Sequence, residues 1–187
     1  MTKIFLDTEF LDDGERVMLI SLGLVAETSE EYYAVSGDCD IDRVLADPWL
    51  RAHVAVHLPL LLHGDRWEWN ITHPDYQHVR PRTRIAADVQ AFMARQLDPE
   101  VWAYFSPFDH LNLCQLYGPM NSLPTAVPTF TRDLMQEAQR TAVPLPLQTA
   151  PIHHALADAR HDYEIAVSIG LINPASKKSS SFARSAP

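Results

Sequence analysis

Two apolar runs, "KIFLDTEF" and "ERVMLISLGLVAE", open the chain with only "LDDGE" between them. Asp-Asp-Gly is a strong turn signal, and both runs read as strands. A third strand-like run, "EYYAVSGD", follows closely. A parallel return would need a dozen or more connecting residues, so three strands this close form an antiparallel meander. The rest of the chain must then cover that sheet.

The downstream pattern supplies the cover. A helix is expected from Ile41 to Leu50, followed by "HLPLLLHGDRWEWNITHPDYQHVRPRT", a proline- and histidine-rich stretch without a clean period that reads as loop with short elements. "RIAADVQAFMARQL" spaces Ile85, Val89, Phe92 and Met93 as an amphipathic helix. It leads into "PEVWAYFS", a core strand, and "PFDHLNLCQLYG", a helix closed by Gly118. A further helix is expected to begin near Thr131 or Arg132. The connector "VPLPLQTAPIHH" then precedes a final helix, "HALADARHDYEIAVSIGL". Strands first, then alternating helices and strands, predict an α/β domain: a mixed β-sheet, antiparallel meander followed by parallel strands, covered by helices. One domain over residues 1–173 suits the 187-residue length, and the Ser-, Lys- and Pro-rich residues 174–187 read as a disordered tail.

Two cysteines, Cys39 and Cys114, are too few for a disulfide scaffold and point to a reducing cytoplasm. The start "MTKIFLDTEF" lacks the apolar core of a signal peptide, and no run reaches the roughly 18 apolar residues of a membrane span. A net charge of −9 argues against a broad basic surface for duplex nucleic acid. It does not argue against a polyanionic substrate, because carboxylates can present cations to phosphates.

Three pieces of sequence carry candidate chemistry. Asp7 and Glu9, two apart on the first strand, face one side roughly 6 to 7 Å apart. On an otherwise apolar strand they need cations or solvent at a strand end. Asp109, in "AYFSPFDHLNL", stands at a helix start, where a plain capping role is the competing account. In "IHHALADARHDYEIA", His153 precedes Asp158 by five residues. Five helical residues would rotate the two by about 140°, so they face together only if His153 lies in the loop ahead of the helix, a break that Pro151 favours. Asp162 lies one turn beyond Asp158 on the same helix face, placed to support Asp158 or Arg160 rather than to bind metal directly. Asp7, Glu9, Asp109 and Asp158 together can hold two divalent ions, and hard oxygen donors favour Mg2+, with Mn2+ as a substitute. His153, with an ordinary pKa near 6.5, suits a general base.

The set "DTEF", "AYFSPFDHLNL" and "HHALADAR" resembles the DEDDh group of 3'-5' exonucleases, which share a ribonuclease H-like fold. His153, Ala155 and Asp158 fill the spacing of its last motif. Within that group, "DTEFLDDG", "ISLGLVAE", "EYYAVS" and "FDHLNLCQLYGPM" resemble the small actinobacterial polyadenylate-specific exoribonucleases (the RNase AS group), over residues 3 to about 170. The resemblance implies a homodimeric enzyme that trims single-stranded RNA from its 3' end, uses magnesium, prefers adenylate-rich ends and releases nucleoside monophosphates. It matches Asp7, Glu9, Asp109 and Asp158 to the metal-binding acids, His153 to the base, and Thr8 and Phe10 to terminal-nucleotide contacts. One departure stands out: Ala103 and Tyr104 replace a Gly-Asn pair common in the wider group.

Other features carry less. His53 and His57 could share a helix face toward zinc, but no partner is spaced to complete a tetrahedral site, and they read as ordinary loop histidines. Trp67, Trp69 and Tyr76 suit base stacking or loop anchoring, and Arg80, Arg82 and Arg84 suit either RNA guidance or a solvated run. Two other readings remain open: an exonuclease acting on single-stranded DNA or short oligonucleotides, and a non-catalytic RNA-binding module. The second would be marked by a missing carboxylate or histidine, and all five residues are present.

Overall fold

The computed structural model describes residues 1–149 and 151–173, so the expected tail lies outside the described residues. The three opening runs are strands β1 (Thr2–Asp12), β2 (Val17–Ala26) and β3 (Glu31–Ser36). The β1–β2 turn is fastened by its own acids: Asp12 accepts the Gly14 amide, and Asp13 accepts those of Glu15 and Arg16.

The single helix expected over Ile41–Leu50 is two, α1 (Ile41–Ala46) and α2 (Pro48–His53). Asp47 ends the first and caps the second, accepting the amides of Trp49 and Leu50, and Pro48 has no amide to continue a helix through the joint. A 3-10 turn, Ala55–His57, extends α2. The proline- and histidine-rich stretch holds a separate hairpin, β4 (Leu60–His63) and β5 (Arg66–Trp69), a second 3-10 turn at Pro74–His78, and the short β6 (Val79–Arg80).

Then come α3 (Arg82–Arg95), β7 (Pro99–Ala103) and α4 (Pro107–Gln115). The helix expected near Thr131 or Arg132 starts later. Arg132 and Asp133 pair with Trp102 and Ala103 as β8, and Asp133 then caps α5 (Leu134–Thr141) by accepting the Gln136 amide. The last helix, α6, runs Ala155–Ser168.

The main sheet has six strands in the order β6-β3-β2-β1-β7-β8. β2 runs antiparallel to both of its neighbours, β1 and β3, whereas β7 joins β1, β8 joins β7 and β6 joins β3 in parallel. This is the expected mixed sheet. Strand alternation divides its faces: Ile4 and Leu6 pack with Ile85, Val89, Phe92 and Met93 of α3, while Phe5 and Val25 pack with Ala159, Ile165 and Ala166 of α6. A third cluster seats α1 and α2 against Ile20, Tyr33 and Val35. No helix among the described residues is long and apolar enough to cross a membrane.

Candidate active site

Asp7 and Glu9 extend the row begun by Phe5, so β1 carries them along the face that α6 covers. Just beyond Glu9 the β1–β2 register slips: Glu9 pairs with Ser21 but Phe10 with Leu19, leaving Ile20 without a partner. Such bulges re-aim side chains where a strand reaches a site.

Gly23 decides how near α6 can come. It pairs with Asp7 across the β1–β2 ladder, and a Cβ there would lie 2.3 Å from the Ala155 carbonyl oxygen and 2.6 Å from Leu156 Cα. The absence of a side chain therefore lets the first turn of α6 rest on backbone beside Asp7. That first turn carries Asp158.

His153 lies in the loop ahead of α6, in a left-handed conformation with φ +64°. Its amide donates to Asp158 Oδ2 at 2.9 Å, which folds the loop back over the helix start. His154 is the N-cap, its Nδ1 accepting the Ala157 amide. The Gln148 side-chain amide donates to Asp158 Oδ1. Ligand atoms of Glu9, His153 and Asp158 lie within 4.8 Å of one another, a group that could hold a cation.

Asp109 arrives from the other face of β1, in the first turn of α4, where the helix dipole favours a carboxylate. Its Oδ1 accepts both the Thr8 amide (2.8 Å) and the Thr8 hydroxyl (2.7 Å), and Asn112 donates to that hydroxyl. Thr8 thus fastens α4 to β1, and its hydroxyl is engaged by Asp109. The turn before α4 is held by two further acids, since Asp162 accepts the Tyr104 amide and Asp133 that of Ser106. Between them Phe105 takes φ +58° and stands 61% exposed.

These elements enclose a cavity of about 690 Å³ lined by Asp7, Thr8, Glu9, Phe10, Asp109, His153 and Asp158, so all seven expected site residues meet there. Phe10 stacks on Phe108 with ring centroids 5.3 Å apart, forming one apolar wall. Trp49, Ile152 and Asp162 also line the cavity. Trp67, Trp69, Tyr76 and the arginines at 80, 82 and 84 do not line the cavity. All three arginines are engaged locally: the Arg80 guanidinium donates to the Val79 carbonyl, that of Arg82 to the Gln115 carbonyl, and Arg84 pairs with Asp88.

Burial and crowding raise the pKa of four of these acids, Asp7, Glu9, Asp109 and Asp162. Burial, then the charges of Asp158 and Asp109 and a hydrogen bond with Asp158, push Glu9 from 4.5 up to about 8. Burial raises Asp7 well above its ordinary value, reinforced by Asp109, Glu9, Asp158 and Asp162. Asp109 is also raised by burial, against the lowering effect of its bonds from Thr8, and Asp162 is raised by burial and by Asp109. Asp7 is half-buried as a residue, yet its Oδ2 is sealed from solvent and has no hydrogen-bond partner among the described residues. A buried carboxylate oxygen with no donor fits a cation-binding position, and the all-oxygen acidic set fits magnesium or manganese. Burial, assisted by the neighbouring His53 and His57 and opposed by Asp158, lowers the His153 pKa.

Several contributors escape sequence reasoning. Gly23 left a trace, because a glycine inside "ISLGLVAE" signals close backbone approach. Trp49, Phe105, Phe108 and Gln148 left none, since their approach to the site depends on tertiary packing.

The chain matches the Rv2179c-like 3'-5' exoribonuclease domain over residues 2–169. It is 40% identical over 163 residues to the 3'-5' exoribonucleases Rv2179c and MT2234.1 of two Mycobacterium tuberculosis strains, covering 84% of this chain and 87% of each relative. Among solved structures it is similar to Escherichia coli exonuclease I with a dA16 oligonucleotide (TM-score 0.61, 13% identity) and to the zinc-bound form of that enzyme with single-stranded DNA (0.59, 12%). Each match covers 93% of this chain, which spans 42% and 41% of those chains, respectively. The fold is thus that of exonuclease I, a ribonuclease H-like fold, and the chain belongs to the Rv2179c-like 3'-5' exoribonuclease family.

Proposed function

We propose that this chain removes nucleoside 5'-monophosphates from the 3' end of single-stranded RNA, using two Mg2+ ions held by Asp7, Glu9, Asp109 and Asp158, with Mn2+ as a substitute. The observation that carries the proposal is the convergence of those four carboxylates on one cavity, with Asp7 Oδ2 buried and without a hydrogen-bond partner among the described residues. When bound, two such ions polarise the attacking water and neutralise charge on the departing oxygen.

The chain's own residues supply the rest. His153, its pKa lowered by burial, offers a neutral imidazole nitrogen that takes the proton from water. The Thr8–Asp109 bonds fix one acid, and the His153 amide fixes another through Asp158 Oδ2. Phe10 and Phe108 give the terminal base an apolar surface to stack against, which suits an unpaired strand end. A preference for adenylate-rich ends rests on the resemblance of the sequence motifs to polyadenylate-specific enzymes. The working form is taken to be a homodimer on the strength of that same resemblance, and a cytoplasmic one because two free thiols, Cys39 and Cys114, suit a reducing compartment.

The test is to incubate 5'-labelled and 3'-labelled oligo(A), oligo(C), oligo(U) and oligo(dA) with Mg2+ or EDTA. Stepwise shortening of 5'-labelled oligo(A) with Mg2+ alone, and release of labelled mononucleotide from the 3'-labelled strand, are expected. Equal rates on all bases would remove the adenylate preference, and faster loss of oligo(dA) would make DNA the substrate. The absence of Mg2+-dependent shortening on every strand would overturn the proposal.

A further inference from the structure

We infer that the helical segment 48–57 is a bracket that positions His153, with Trp49 and His57 as its two points of hold. The inference rests on the reading of His153 as the base in the proposed reaction. A base on a left-handed loop residue has little of its own to fix its ring, because the His153 amide bond to Asp158 orients the backbone and leaves the side-chain torsions free. The ring is instead packed from outside. The Trp49 indole meets it edge-on, with centroids 4.8 Å apart and planes at 73°, and the His53 ring meets it at 5.7 Å and 88°.

Trp49 and His53 are themselves locked together. Their rings stack at 4.7 Å and 19°, and His53 Nδ1 lies 2.8 Å from the Trp49 carbonyl oxygen. A carbonyl can only accept, so the proton of neutral His53 is on Nδ1. Asp47 anchors the base of this pair by capping α2 through the Trp49 and Leu50 amides.

The second hold acts on the backbone. His57 Nε2 donates to the carbonyl of Ile152, the residue immediately before His153, at 3.1 Å. On the other side of His153, the His154 ring stacks on Tyr33 at 4.6 Å and 23° and meets His57 edge-on at 5.9 Å. The loop is thus pinned before, at and after His153 by residues from β3 and segment 48–57. This gives the histidines at 53 and 57 a task that zinc-ligand spacing does not reveal. Catalytic groups lose rate steeply when displaced, up to about 10²-fold for a misplacement near 1 Å.

Steady-state trimming of 5'-labelled oligo(A) with Mg2+ is measured for Trp49→Ala, Trp49→Phe, His57→Ala and His57→Gln, alone and combined with His153→Ala. Nuclear magnetic resonance of the His153 ring protons is recorded on the same proteins without cations. Trp49→Ala and His57→Ala are expected to lower kcat about tenfold with KM within about twofold, and to shift and broaden the His153 ring signals. His57→Gln, whose amide can still donate to Ile152, is expected to recover most of the rate. In the His153→Ala background both losses should vanish, since positioning residues act only through the residue they position. Wild-type kcat in both alanine variants, losses that persist undiminished without His153, or a Trp49 effect confined to KM would each overturn the bracket. If Trp49→Ala does not fold, Trp49→Phe and the His57 pair decide by the same criteria. Should His153→Ala itself leave the rate unchanged, the failure lies with the base assignment, whereas an unmoved His153 spectrum places it with the bracket.

Discussion

Replacing Glu9 with glutamine sets stability against activity in a way that only a crowded acidic site would produce. Glu9 is 8% exposed, and its carboxyl is pushed from 4.5 up to about 8, first by burial and then by Asp158 and Asp109. Because the folded-state value is the raised one, the stabilisation tied to the Glu9 proton is fully present below pH 4.5 and is lost as pH rises through about 8. At about 1.4 kcal/mol per unit, the cation-free fold carries a penalty on the order of 4 kcal/mol near pH 7.5 and about 1 kcal/mol near pH 5. Glutamine matches the length of Glu9, carries no charge and can still hydrogen-bond to Asp158. Glu9→Gln should therefore stabilise the cation-free protein by about 2–4 kcal/mol near pH 7.5, raising Tm by roughly 4–16 °C for a chain of this size. Near pH 5 the gain should shrink to a few degrees at most. Differential scanning calorimetry in EDTA at both pH values reads this directly. With Mg2+ the gap should narrow, because wild type gains about 2.7 kcal/mol at a hundredfold excess over Kd and the variant gains far less. A Tm that falls at both pH values, or rises equally at both, would refute the electrostatic account of Glu9.

Gly23→Ala places a methyl group against α6 backbone that cannot rotate away, so a loss of about 1–3 kcal/mol and a drop in kcat are expected, checked by calorimetry and oligo(A) trimming. Asp7→Ala and Asp158→Ala should each abolish Mg2+-dependent mononucleotide release while leaving the circular dichroism spectrum unchanged; undiminished activity in either would remove that residue from the cation site. His153→Ala should slow hydrolysis by roughly 10² or more, measured under single turnover at neutral pH.

The elements most legible in the sequence were those set by local rules. The meander followed from short turns and the Asp-Asp-Gly signal, and α3 from its spacing of Ile85, Val89, Phe92 and Met93. Errors arose where one residue serves two elements. Asp47 splits the expected helix because it can both end α1 and cap α2, and Arg132–Asp133 are drawn into β8 by a parallel neighbour 30 residues away (Trp102 with Arg132, Ala103 with Asp133) before Asp133 caps α5. Both are tertiary or capping effects that periodicity does not encode. The acids and His153 came into view from motif spacing taken together with the family resemblance, and they line one cavity. The supporting set was not legible: Gly23 matters through contact with a helix more than 130 positions on, and Trp49, His57 and Gln148 matter through tertiary contacts with His153, Ile152 and Asp158.

The central claim is that Asp7, Glu9, Asp109 and Asp158 hold two divalent cations in one cavity. The most direct measurement is anomalous X-ray diffraction from crystals of the protein soaked with Mn2+ and adenosine monophosphate. The account predicts two anomalous peaks among those four carboxylates, roughly 3.5 to 4 Å apart, with the nucleotide phosphate bridging them. A cavity without anomalous density, while Mn2+ occupies sites elsewhere in the same crystal, would contradict it.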